Sequence, residues 1–167
     1  MKQDLFALSL LALSLAAGPS LSQTVDPEKI ARGGYLARVM DCGGCHTPRG
    51  PDGAPILDRA LTGGTVGFEI PGLGIFWPSN LTPDATGIGG WTEAEVVTAI
   101  RTGLRPDGRM LAPAMPSPSF AGLTDEDAAA LAAYLLSLPA VANAVPGPAA
   151  AGGDAPAPFY RVVLPKG

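Results

Sequence analysis

Two cysteines and one histidine stand together in "DCGGCH", residues 41 to 46, and the chain has no other Cys or His. Three chemistries use a group such as Cys42, Cys45 and His46. A structural zinc site needs four ligands, and no further thiol or imidazole exists to complete one, which leaves carboxylates as the only substitutes. A dithiol redox pair usually accompanies a strand–helix–strand pattern, and none is visible here. Covalent attachment of haem c employs all three side chains. Each thiol adds to one vinyl group of the porphyrin, and the adjacent imidazole is thereby held beneath the iron as an axial ligand.

His46 fills one axial position only. With no second histidine, the other falls to a methionine, to water, or stays open. Of the four methionines, Met1 belongs to the N-terminal segment described below and Met40 stands two residues before Cys42, on the proximal side. Met110 and Met115 remain. Met115 lies in "PAMP", where the flanking prolines keep the backbone extended and stiff, a good way to present a thioether at a fixed height. The plainer role of apolar gap-filler also suits a methionine. Met110 follows the turn-forming "PDGR". A thioether ligand favours ferrous iron and raises the potential, and an iron closed on both sides is an electron carrier. An open iron could instead support peroxide or gas chemistry, or sensing. No second histidine is available as a distal acid or base for the first, and no signalling domain is attached for the second.

The elements that must position these residues are helices joined by long loops. Asp26, Pro27 and Glu28 form a helix start with a side-chain cap, a proline at the first helical position and acid in the first turn. Ile30, Gly33, Gly34 and Ala37 follow at spacings of three and four, giving a narrow face that runs into the cysteines. From Thr47 to Gly90 there is no helical period, and the segment reads as loop with a short extended piece near Ile75 to Trp77. So long a loop is tolerable in a compact domain if it wraps something other than protein, which a flat apolar cofactor supplies. Thr92 and Glu95 form a capping box, with Trp91 and Val96 as the hydrophobic staple around it. Val96, Val97, Ile100 and Leu104 supply the buried face, and Gly103 the stop. Thr124 and Asp127 open a last helix carrying Ala128, Leu131, Tyr134, Leu135 and Leu138, which Pro139 ends. From Ala140 the composition turns to Ala, Pro and Gly and reads as a linker or loosely held tail, with "FYRVVLPKG" apolar enough to dock on something.

Composition sets the outer limits. A 167-residue chain that is 47% hydrophobic builds one domain with tails rather than two domains. A net charge of −4 with only 16% charged residues provides no basic stripe, so nucleic acid is not an expected partner. Leu5 to Ala17 form an apolar run after Lys2, with small residues Ser20 and Ser22 placed for cleavage before Gln23. This run is short of the ~20 residues that cross a bilayer, so it reads as a secretory signal rather than an anchor. The expected organisation is a signal at residues 1–22, a haem domain at 23–140 and a tail at 141–167. After cleavage there is no membrane span, the location is periplasmic, and the thiols mature in an oxidising compartment.

Four stretches carry a family resemblance: "RGGYLARVMDCGGCHTP", "SNLTPDATGIGGWTEAEVVTAIRTGLRPDGR", "LAPAMPSPSF" and "LTDEDAAALAAYLLSLP", together most of residues 31 to 139. They resemble class I c-type cytochromes, in particular the cytochrome c subunits of periplasmic alcohol and gluconate dehydrogenases. The resemblance implies an all-α, class I cytochrome c fold, with three to five helices wrapped around one haem bound through Cys42 and Cys45. It implies His46 and Met115 as the iron ligands and a close crossing of the first and last helices. It also places Asn80, Thr82 and Trp91 near the haem edge, with Asn80 and Trp91 as cofactor-binding candidates. Trp91 also serves as the helix staple, and Ile75, Phe76, Trp77 and Leu81 as pocket lining or ordinary core. Such subunits often carry three haem domains and an anchor, whereas one motif is present here. The expectation is a single-haem, soluble carrier, not itself an enzyme. It takes single electrons from a periplasmic dehydrogenase and passes them to a downstream cytochrome or oxidase, with its tail pinned to a partner subunit.

Overall fold

The computed structural model describes residues 26–152 and 154–165. The apolar run read as a secretory signal lies outside the described residues. Among those described, five helices and a small sheet follow in the order α1 (Pro27–Val39), α2 (Cys42–His46), β1 (Gly67–Ile70), β2 (Gly74–Phe76), α3 (Glu93–Thr102), α4 (Ser117–Phe120), α5 (Asp125–Ser137) and β3 (Phe159–Tyr160), with one 3-10 turn at Leu57–Arg59. No helix among them is long and apolar enough to cross a membrane.

The helix ends follow the local chemistry. Asp26 accepts a hydrogen bond from the Glu28 N–H at 2.9 Å and Pro27 opens α1. At α3 both halves of the capping box form, with Glu95 N–H on Thr92 Oγ1 at 3.2 Å and Thr92 N–H on Glu95 Oε2 at 2.7 Å. Gly103 ends α3 at φ 76°, a conformation that costs a glycine little. Thr124 caps α5 through the Asp127 N–H at 3.1 Å, and α5 stops before Pro139, which holds Leu138 extended at ψ 152°.

These three long helices form the frame. Leu36 and Ala37 of α1, Val96 and Ile100 of α3, and Leu131, Ala132 and Leu135 of α5 share one buried cluster with Leu61 and Ile88 from the loop. Trp91 packs on the cluster's rim, on the side where Val96 begins it. The helices meet almost backbone to backbone. A Cβ added at Gly33 would lie 2.0 Å from the Ala130 carbonyl oxygen and 2.6 Å from Tyr134 Cβ. Only glycine fits there, and the buried alanines of α5 keep the facing surface equally low. Ion pairs from Lys29 to Glu93 at 2.8 Å and from Arg32 to Asp127 at 2.8 Å tie α1 to α3 and α5 from outside. Being exposed, they add little.

The sheet is the departure from an all-helical expectation. β1 and β2 form a hairpin across Pro71 and Gly72, with Phe68 opposite Phe76 and Ile70 opposite Gly74. The extended piece expected near Ile75 to Trp77 is the second of these strands. The third strand comes from the tail. β3 pairs parallel to β1, with Phe68 opposite Tyr160.

The tail is thus not a loosely held linker over residues 141–152 and 154–160. Its alanines, prolines and glycines offer few side chains to pack, but its backbone meets buried polar groups that need partners. Asn80 donates to the Val141 carbonyl at 2.8 Å, Asn143 Nδ2 to the Thr62 carbonyl at 2.7 Å, and Trp77 Nε1 to the Pro158 carbonyl at 3.0 Å. Ile75 and Ala149 exchange backbone bonds at 2.8 and 2.9 Å. A buried polar group left without a partner costs about 1–3 kcal/mol, so composition misjudged this segment by counting side chains alone.

Candidate cofactor site

Helix α2 is the cysteine motif itself. Its i, i+3, i+4 spacing gathers Cys42, Cys45 and His46 toward one side of a single turn. The turn starts at Asp41, which sits in the left-handed region at φ 55°, and Gly44 leaves room for the Asp41 carboxylate. The loop closes tightly over it. Gly63 N–H donates to the His46 carbonyl at 2.8 Å, and a Cβ at Gly64 would lie 2.3 Å from the Cys45 carbonyl oxygen.

His46 carries the most informative geometry. Its Nδ1 lies 2.7 Å from the Ser79 carbonyl oxygen. A carbonyl only accepts, so the proton sits on Nδ1 and the lone pair is left on Nε2. Burial holds this imidazole below its usual range, with the Ser79 carbonyl pulling the other way, so the neutral ligand form is favoured. Sequence reasoning found the histidine but not Ser79, because no local pattern announces a carbonyl 33 residues away.

The two thiols are free. Burial, reinforced by Asp41, pushes Cys42 up to about 11, and it raises Cys45 as well, with Arg49 opposing. A redox dithiol or a zinc thiolate needs the opposite shift. Among the described residues no group of three or more His, Cys, Asp and Glu side chains is arranged to hold a metal ion. Protonated thiols that add across vinyl groups remain consistent with the site.

Beside Cys45 opens a cleft of about 370 Å³ that is also lined by Ala114, by Phe68, Glu69 and Ile70 of β1 and by residues of the tail, while Cys42, His46 and Met115 are not part of its lining. A half-buried Met115 sits in a tight turn, its N–H on the Ala112 carbonyl at 2.9 Å and its own carbonyl taken by Ser117 N–H at 2.8 Å. Met110 is 64% exposed, at the end of a hairpin-like bridge to Leu104. Ser117 Oγ is buried without a hydrogen-bond partner two residues past Met115. An imidazole with a free Nε2, two protonated thiols on the same turn and a cleft beside Cys45 lined largely by apolar side chains fit a haem c.

Asn80 and Trp91 stand differently. Asn80 is fully buried and its amide is spent. Nδ2 donates to Thr86 Oγ1 at 3.1 Å and to Val141, while Oδ1 accepts from Thr82 N–H at 2.9 Å and Thr82 Oγ1 at 2.8 Å. Two donors and two acceptor sites are all it has, so a propionate finds no free hydrogen there. Its work is to bind the loop to the tail. Trp91 packs on the helical core, and the Arg105 guanidinium lies 5.2 Å over its ring.

A helical frame carrying a cysteine–histidine turn and a methionine loop defines a c-type cytochrome class. A sequence profile of the cytochrome c family matches residues 30–139, and the chain belongs to that family. Members of that family hold haem c covalently and transfer electrons. The chain is similar to the cytochrome c subunit of alcohol dehydrogenase (quinone) from Komagataeibacter europaeus, 43% identical over 132 residues, covering 77% of this chain and 26% of the relative. The gluconate 2-dehydrogenase cytochrome c subunit of Pantoea cypripedii is 37% identical over 137 residues, covering 81% of this chain and 29% of its own length. A diheme cytochrome c-type protein of Cereibacter sphaeroides is 35% identical over 153 residues, covering 83% and 49%. The chain spans about a quarter of the length of the alcohol dehydrogenase subunits it matches.

Proposed function

We propose that the chain is a periplasmic, single-haem cytochrome c of class I fold. It accepts one electron at a time from a dehydrogenase and passes it to a downstream cytochrome or oxidase. Cys42 and Cys45 hold the haem through thioether links, and His46 Nε2 and the Met115 thioether ligate its iron. The observation that carries this reading is the hydrogen bond from His46 Nδ1 to the Ser79 carbonyl, which fixes the ring and leaves Nε2 free on the residue that follows the two thiols. Such a partner also makes the imidazole a stronger donor and aims it. The iron supplies the reversible one-electron change. The protein supplies a neutral imidazole, a soft thioether that favours the ferrous state, and an apolar wall around them.

The similarity to cytochrome subunits of alcohol, gluconate and fructose dehydrogenases supports a dehydrogenase as donor. The secretory run at residues 1–22 supports the periplasm. Asn80 serves this site by fixing the loop behind Ser79, and Trp91 by closing the α3 end of the core.

The test is a reduced-minus-oxidised spectrum of the wild type and of Met115→Ala. Met115→Ala is expected to lose the thioether-to-iron band, lower the potential and gain carbon monoxide binding. An unchanged spectrum would move the ligand to Met110. A wild type that is high-spin and binds carbon monoxide readily would replace the carrier by an open-iron enzyme or sensor.

A further inference from the structure

The cleft beside Cys45 has an outer wall that the assignments above leave without a role. Besides Cys45 and Ala114, its lining consists of Phe68, Glu69 and Ile70 of β1 and Tyr160, Arg161 and Val162 of the tail. This short strap is not resting there by chance. Pro158 offers its carbonyl to Gly67 N–H at 2.8 Å and to Trp77 Nε1 at 3.0 Å. The Tyr160 ring lies on Phe68 with centroids 5.6 Å apart, and the Arg161 guanidinium crosses the Phe159 ring at 5.1 Å.

The strongest tie is ionic and forked. Arg161 donates through Nε to Glu69 Oε2 and through Nη2 to Glu69 Oε1 at 3.0 Å, and Gly152 N–H adds a bond to Oε1 at 3.0 Å. The Glu69 side chain is only 11% exposed, the least among the ion-paired side chains of the described residues, while Arg161 is half-exposed. A two-pronged guanidinium–carboxylate contact fixes orientation as well as distance. Glu69 and Arg161 both line the cleft, so the latch lies at its rim.

We propose that the strap at residues 158–162, whose Tyr160, Arg161 and Val162 line the cleft beside Cys45, is latched by the Glu69–Arg161 pair so as to limit how far water reaches the haem edge at Cys45. The inference rests on the haem assignment above. Its consequence is a potential set partly by the tail. Ferric haem carries one more positive charge than ferrous, so shielding its edge from water favours reduction, and opening the strap favours oxidation.

Point charge and shielding predict different signs, which makes the proposal decidable. Removing a negative charge beside an otherwise unchanged haem, as in Glu69→Gln, raises the potential, while removing a positive one, as in Arg161→Gln, lowers it. Unlatching the strap lowers it in both. Potentiometric titration of the full-length holoproteins is therefore expected to give a fall for both variants, with faster cleavage of the tail by a broad-specificity protease. A rise for Glu69→Gln with a fall for Arg161→Gln would overturn the proposal, as would two unchanged potentials. Tyr160→Ser keeps the ion pair and removes only the ring on Phe68. It should shift the same way by less, and its sign decides the matter if the charge variants fail to fold. A wild type whose haemochrome spectrum shows no covalent haem would overturn the underlying assignment, whereas normal haem and an intact thioether band with the wrong signs would overturn the strap alone.

Discussion

The helical frame and the loop-and-tail half are held by different forces. Between α1, α3 and α5 the contacts are apolar and close, and the nearest approach is set by the absence of a side chain at Gly33. In the loop and the tail, the recurring fastener is a polar side chain, buried or half-buried, bonded to backbone: Asn80 to Val141, Asn143 to Thr62, Trp77 to Pro158, His46 to Ser79. The frame would keep its shape without the tail's bonds, whereas the loop half depends on groups scattered across the chain. The residues that could hold a cofactor, Cys42, Cys45, His46 and Met115, lie outside both segments, and the loop half contributes the Ser79 carbonyl that orients His46.

Substitutions that act on one half only sharpen this contrast. The largest effect is expected at Gly33→Val, where the first added carbon already meets a backbone oxygen that cannot move away cheaply. The loss should be about 3 kcal/mol, the upper range for an overpacked core, read as a lower urea midpoint with an unchanged slope. A small loss would mean that α1 and α5 can slide apart, and the frame would be softer than its packing implies.

Asn80→Ala should cost less, about 1–3 kcal/mol, because it leaves the Thr82 N–H without its acceptor and removes the shorter of the two side-chain hydrogen bonds to the Val141 carbonyl. Its distinctive sign is local. Protease cleavage should appear at residues 141–149 while helical circular dichroism stays near the wild-type level. Loss of helix in step with the tail would erase the distinction between the halves.

The smallest effect is electrostatic and belongs to the frame. The Arg32 guanidinium holds the Asp127 carboxyl below its ordinary range. A depressed carboxyl stabilises the fold above its unfolded pKa, and that contribution fades as the pH falls through the lower folded value. Arg32→Gln should therefore flatten the acid limb of the stability curve below about pH 4, where a free aspartate titrates, and added salt should mimic it. Unchanged acid sensitivity in that variant would assign the acid limb elsewhere.

The same division decides what could be read without coordinates. The caps at Asp26, Thr92 and Thr124, the stop at Gly103 and the end before Pro139 are short-range signals, and each matches a helix boundary in the structure. The Cys42–Cys45–His46 group is likewise local. The hairpin had a signal that went unused, since "FEIPGLGIF" places Pro-Gly between two apolar stretches. What no window could reveal are the long-range bonds. Arg161 lies 92 residues from Glu69 and Asn143 lies 81 from Thr62, and an Ala-, Pro- and Gly-rich composition hides an ordered path because its order is made by a few scattered side chains and by backbone groups at Val141, Ala149 and Pro158. Asn80 shows the converse. The family resemblance implies that it lies near the cofactor, yet every hydrogen-bonding position it has is turned inward to Thr82, Thr86 and Val141.

Residues 77 to 80 each fasten to a different place: Trp77 to Pro158, Pro78 through its carbonyl to Gly64, Ser79 to His46, Asn80 to Val141. The ligand is therefore local while its tautomer is not. A peptide cut to the "CGGCH" turn keeps both thiols and the imidazole but loses the acceptor that places the proton on Nδ1. In such a fragment either ring nitrogen is free to carry it. The donor strength of His46 is thus a tertiary property, and a minimal haem peptide made from this chain is expected to be a poor surrogate for the folded protein.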